Sequence, residues 1–226
     1  MYCVLCTVCC VLCAVCCVLC YLPLHKCNRI LPNCYTLHYI SSHLSPLPLF
    51  LSLSAYHHRP DRLTRLGRVF SEPWGVSCQM LVSTLGEDGC VLLLPSGGSG
   101  GSGGGLLERA RSTAQRHPKD YAVWGQMEQR IGALSTINTT EEVQVILGRE
   151  YRVISCSALP LSCVTDSTGA GDAFIGAFIA AWVHGWAPPN CMKLGTLGAG
   201  MKLQQQGARA GQPTLQQVID ILDQSA

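Results

Sequence analysis

The first 58 residues contain no aspartate and no glutamate, and Lys26 and Arg29 are their only full charges. Over the whole 226-residue chain 13% of residues are charged and 7% aromatic, a charge content about half the usual quarter. A formal net charge of +2 supplies no concentrated basic surface, so nucleic-acid binding is set aside as a class. No positive charge precedes the apolar run that opens the chain, and no small-residue cleavage site precedes Leu22-Pro23. Both absences argue against a secretory leader. Beyond residue 35 the cysteines are Cys78, Cys90, Cys156, Cys163 and Cys191, scattered singly. That usage suits small core side chains in a reducing, cytoplasmic compartment rather than a disulfide framework.

What the opening does contain is a seven-residue repeat over residues 3–20, CVLCTVC, CVLCAVC, CVLC. Residues 1–22 have about the length of a membrane helix, which would make the protein membrane-anchored or organelle-targeted. The repeat also contains C-x-x-C pairs, but the intervening residues are Val-Leu, Thr-Val and Ala-Val instead of the turn formers that zinc knuckles use. The third reading is low-complexity sequence without a selected structure. Leu22 to His58 is rich in Pro, Ser, Leu and His with no usable period, and reads as a linker. Residues 1–58 are therefore expected to be a Cys-rich apolar segment and linker, and 59–226 an ordinary soluble domain.

Within that domain Arg59, Arg62, Arg65 and Arg68 recur every third residue, one stripe on a helix and more simply a solvated face than a phosphate site. CQMLVST (Cys78 to Thr84), LGEDG (Leu85 to Gly89) and the apolar run from Cys90 to Leu94 read as strand, tight turn, strand. Ser96 to Gly105, SGGSGGSGGG, has nothing to bury and reads as a flexible linker. It opens an insertion expected over about 96–150, with helical spacing at Leu106 to Gln115 and Tyr121 to Leu134 and extended chain at Gln144 to Ile154. Asn138-Thr139-Thr140-Glu141 is a formal sequon, a candidate magnesium-organising Asn-x-x-Glu, or, with Glu142 three residues after Thr139, a helix capping box. The cap is the favoured reading.

DSTGAGDAF, Asp166 to Phe174, runs into a helix that is apolar nearly all round. Its start therefore lies at Gly169-Ala170-Gly171, where unpaired N–H groups and the positive end of the helix dipole converge. Residues this small let an anion reach the backbone. A transferring phosphoryl group needs positioning, charge stabilisation and one base, and Asp172 stands where such a base would. A structural turn with a capping Asp fits the spacing equally.

DSTGAGDAFIGAF resembles the C-terminal signature of the PfkB family of carbohydrate kinases, and LVSTLGEDGCVLL resembles the strand and turn bearing part of that family's ATP site. Cys191 to Gln206, Gly207-Ala208 and the helix from Thr214 to Leu222 resemble its C-terminus. The similarity covers roughly Cys78 to Leu94 and Ile154 to Asp223. It implies an α/β, ribokinase-like fold, a three-layer α/β/α sheet with helices on both faces, here truncated at the N-terminus. It implies ATP with magnesium, and a small carbohydrate or similar alcohol as acceptor. Asp172 would be the catalytic base; Gly169, Ala170 and Gly171 the anion hole; Thr84, Leu85, Gly86, Glu87, Asp88 and Gly89 the nucleotide lining. Asp166 and Thr168 would hold a monovalent cation such as potassium.

The family's sugar-binding half has no counterpart before residue 59, and its Asn-x-x-Glu element should precede the ATP strand, whereas Asn138 to Glu141 follows it. Lost positioning can be worth about 7–11 kcal/mol of barrier. A catalytically impaired nucleotide-binding or interaction fragment is therefore the alternative.

Overall fold

The computed structural model describes residues 36–38, 41–42, 45–46, 49–52, 62–69, 80–96, 118–209 and 211–224. The cysteine repeat, with its possible membrane helix, lies outside them. No helix among the described residues is long and apolar enough to cross a membrane. The chain divides into two units: a sheet unit drawn from residues up to 103 and from 140–155, and a helical unit built from 104–139 and 156 onward.

The sheet unit is a six-stranded sheet in the order β1-β4-β5-β6-β8-β7. Its strands are β1 (Thr36–His38), β4 (Leu49–Ser52), β5 (Leu81–Thr84), β6 (Cys90–Pro95), β7 (Thr139–Ile146) and β8 (Arg149–Cys156). A separate two-stranded ribbon pairs β2 (Ser41–Ser42) with β3 (Ser45–Pro46). Direction is mixed, since β4 runs parallel to β5 while β1 with β4 and β5 with β6 are antiparallel. β5 and β6 are continuous apolar runs because they are central, with Leu81, Leu92 and Leu93 wholly buried. The chain is thus α/β, as expected. The stretch read as a linker, 22–58, nevertheless supplies four short strands. Their placement comes from pairing, as in Leu49 with Leu81 and Ser52 with Thr84, and no local period announces it.

β7 and β8 are joined through Leu147 and Gly148, both at positive φ (52° and 75°), the backbone a two-residue hairpin turn demands. This ribbon belongs to the sheet, so sheet strands lie within the segment that the glycine-rich composition marked as a flexible insertion. It also corrects the capping-box reading: Thr139 opens a strand, and Glu142, the carboxylate of that box, accepts from Gln144 on the same strand, while Glu141 is held across the ribbon by the Arg152 guanidinium. That ion pair keeps the Glu141 carboxyl below its usual range. The charges on β7 also blunt an edge strand. A short helix, α1 (Arg62–Val69), contains Arg62, Arg65 and Arg68; Arg59 lies outside the described residues. Its Gly67 lies so near β7 that a Cβ there would stand 2.6 Å from Ile146 Cγ2.

The helical unit contains α2 (Pro118–Ala133), α3 (Ala170–Val183), α4 (Pro188–Leu203) and α5 (Leu215–Gln224). α3 is buried almost all round, as its composition implies, and Phe174, Phe178 and Trp182 stack at four-residue spacing along it. α4 meets it through small residues, for a Cβ on Gly195 would lie 2.8 Å from the Phe174 ring. α2 and α4 cap each other. Glu128 accepts the Ala187 N–H (2.9 Å) and an Asn190 amide proton (3.2 Å) at the start of α4. Buried Lys193 of α4 donates to the Gly132 and Leu134 carbonyls (2.8 and 2.9 Å) at the end of α2. Each charge sits at the helix end whose partial charge opposes it.

Candidate functional site

The loop 165–169 is held by the segment that follows α4. Leu203 accepts the N–H groups of Thr165 (2.8 Å) and Asp166 (3.3 Å). Asp166 in turn accepts the Thr168 N–H on Oδ1 and the Gly207 N–H on Oδ2, each at 2.8 Å. Hydrogen bonds to the charged form, from Thr168 first and then Gly207, lower its pKa from 3.8 to about 2. Gln212 Nε2 completes the brace, donating to the carbonyls of Gly169 (3.2 Å) and Ala208 (2.9 Å).

A carboxylate whose pKa is lowered on folding stabilises the fold fully above its unfolded value and loses that contribution as pH falls through the folded one. Stability is therefore expected to drop between about pH 4 and pH 2 through Asp166. Urea midpoints measured across that window should fall less steeply for Asp166→Asn than for the wild type.

α3 begins at Gly169, whose φ of 84° and ψ of 6° place it in the left-handed region, open to glycine and costly for other residues. No side chain caps this terminus. The Ala170 N–H donates to Ser167 C=O at 3.2 Å, so one of the three amides expected in the anion hole is engaged. The N–H groups of Gly169, Gly171 and Asp172 donate to no acceptor among the described residues. Asp172, in the first helical turn, is exposed, and its carboxylate makes no hydrogen bond or ion pair with a described residue. It stands where a capping carboxylate could reach back to the helix start and does not do so. The structural reading of this aspartate as a cap therefore has no bond to support it. The loop leaves a negative side chain beside amide donors at the positive end of a helix dipole, an arrangement suited to an anion and a proton acceptor together.

The six residues expected to line nucleotide lie in the sheet unit. Thr84 ends β5, and Gly86–Asp88 form a single 3₁₀ turn closed by Leu85 N–H to Gly89 C=O (2.8 Å) and Gly89 N–H to Gly86 C=O (3.1 Å). The Leu85 side chain is buried, while Gly86, Glu87 and Asp88 form the exposed rim. The structure thus gathers Asp166, Thr168, Gly169, Ala170, Gly171 and Asp172 in one unit and Thr84 to Gly89 in the other. Sequence reasoning missed Lys202, Gly207 and Gln212. Lys202 had a signal, one of two cations in an otherwise uncharged helix; Gln212 had none. Among the described residues no three His, Cys, Asp or Glu side chains come together as a metal site. Glu141 does not fit the magnesium element either, because the Arg152 guanidinium occupies its carboxylate.

The family model for pfkB family carbohydrate kinases matches residues 143–215, the stretch that runs from β7 through the Asp166–Asp172 loop, α3 and α4. That segment, about a third of the chain, is similar to the pfkB family. Arabidopsis thaliana ribokinase is 35% identical over 69 residues, which is 30% of this chain and 18% of that protein. Arabidopsis thaliana adenosine kinase 1 is 29% identical over 75 residues, 32% of this chain and 22% of that protein. The matched stretch is thus less than a quarter of the length of either curated relative. Among solved structures, Arabidopsis thaliana ribokinase complexed with ribose and ATP is similar at a TM-score of 0.40 and 18% identity, covering 78% of this chain and 47% of that one. Ribokinase from Cryptococcus neoformans var. grubii serotype A in complex with ADP gives 0.42 and 17%, covering 72% and 37%.

Proposed function

We propose that this chain acts as an ATP-dependent phosphotransferase whose acceptor is a hydroxyl of a sugar or nucleoside. The observation that carries this reading is the state of Asp172: an exposed carboxylate, bonded to no described residue, beside the unpaired amides of Gly171 and its own backbone. In the step proposed, Asp172 takes the proton from the acceptor hydroxyl as its oxygen forms the new O–P bond. The bond from the γ-phosphorus to the β,γ-bridging oxygen breaks, and ADP leaves. The amides of Gly171 and Asp172, with the helix dipole behind them, stabilise charge on the migrating phosphoryl oxygens. The ribokinase and adenosine kinase relatives support the class of donor and acceptor.

The Thr84–Gly89 turn is proposed to contact nucleotide, and Glu87 and Asp88 on its rim can accept hydrogen bonds from ribose hydroxyls or the adenine amine. Magnesium would arrive with the nucleotide phosphates, and no side chain of this chain is assigned to it.

The test is ADP formation by the full chain with ATP and a panel of pentoses, hexoses and nucleosides. Turnover that requires one of these acceptors supports the proposal. Saturable ATP binding with no acceptor-dependent turnover across the panel rejects it and leaves a nucleotide-binding role.

A further inference from the structure

Lys202 lies in the last turn of α4 with its side chain wholly buried. Its ammonium donates to the main-chain carbonyls of Gln205 (2.9 Å) and Asp166 (3.3 Å). A buried ammonium is costly unless acceptors and opposite charge surround it. Here one acceptor, the Gln205 carbonyl, lies just past the C-terminal end of α4, where the dipole is negative; the other belongs to Asp166 in the loop, and the opposite charge is the Asp166 carboxylate, on which Lys202 acts favourably. The aliphatic stem is packed as tightly as the head: a Cβ on Gly211 would stand 3.1 Å from Lys202 Cδ.

This is the place where the family resemblance puts a monovalent cation. Such an ion needs bare oxygens around it, and Asp166 offers few. Its Oδ1 accepts from Thr168, its Oδ2 from Gly207 and its carbonyl from Lys202. The positive charge that a potassium ion would bring is already covalently present. We infer that the Lys202 ammonium is the resident cation of the phosphate-loop support, and that this loop needs no free monovalent ion to hold its shape. The inference concerns the loop on which the proposed function rests, but it is read out by unfolding, so it stands or falls whether or not the chain turns over ATP.

The experiment compares melting temperatures of the full chain in potassium, sodium and tetramethylammonium chloride at constant ionic strength, for the wild type and Lys202→Met. Wild-type values in the three salts should agree within about 1 °C. Lys202→Met should melt lower by on the order of 5 °C, the buried carboxylate-facing charge being lost from a domain of this size. It should also gain a stabilisation specific to potassium over tetramethylammonium, because the vacated carbonyls then face a space that a metal ion can fill. The inference is overturned by potassium-specific stabilisation of the wild type, or by a Lys202→Met protein whose salt response matches the wild type's. Should Lys202→Met fail to fold, the wild-type salt series decides, since potassium-specific stabilisation there rejects a resident ammonium and its absence upholds one.

Discussion

Asp172→Asn is expected to lower acceptor-dependent ADP formation by about 10²- to 10⁴-fold, the usual worth of a positioned general base. Asparagine keeps the shape of the side chain and removes its ability to take a proton. The substitution should leave the fold nearly intact because Asp172 is exposed and bonds to no described residue. What it loses structurally is a negative charge in the first turn of α3, worth about 0.3–1 kcal/mol. ATP affinity should hold or rise, since the lost charge repelled the phosphates. A general base and a mere helix-stabilising charge therefore separate cleanly: the first moves turnover by orders of magnitude, the second moves the melting temperature by a few degrees and leaves rate alone. Steady-state kinetics and thermal unfolding on the same preparation make the comparison, and an Asp172→Asn protein with wild-type turnover would reject the assignment.

Gly169→Ala should be the most destabilising single-methyl addition in the loop. The residue sits at φ 84°, where a Cβ costs roughly 1–2 kcal/mol. The new atom would also lie 3.1 Å from Ala208 O, 3.3 Å from Ala208 Cα and 3.3 Å from Gln212 Nε2. The amide end of Gln212 can swing away, but Ala208 is backbone, so the loop or the 207–212 segment must shift, at about 1–3 kcal/mol for overpacking. The sum, about 2–5 kcal/mol, corresponds to a fall of roughly 5–15 °C in melting temperature. Gly125→Ala is the control, because a Cβ there meets nothing within 4 Å. Equal melting temperatures for the two variants would show that Gly169 is not confined as described.

The apolar run from Ala173 to Trp182 announced a buried helix, and the small residues before it placed its start; both depend only on the identities of neighbours in the chain. The strand-turn-strand from Leu81 to Pro95 was legible for the same reason, whereas the extended chain expected over Gln144 to Ile154 is broken by a turn at Leu147-Gly148. Thr139 misled because a capping box and the start of a strand use the same residue types. What decided between them was β8, whose pairing draws residues 139–146 into the sheet as a strand. Of the four short strands between residues 36 and 52, β4 escaped notice because its place comes from partners such as Leu81 and Thr84, more than 30 positions away, and β1 follows by pairing with β4.

The sequence alone determined that an aspartate would stand at the opening of a buried helix behind residues too small to shield the backbone, since composition and order suffice for that. Only the tertiary structure decided what surrounds it. Gly207, Gln212 and Lys202, 36 to 43 positions beyond the loop residues they hold, meet the loop because α4 returns the chain to it. Such hydrogen bonds form between groups brought together by the packing of helices, and no local pattern along the chain encodes that meeting.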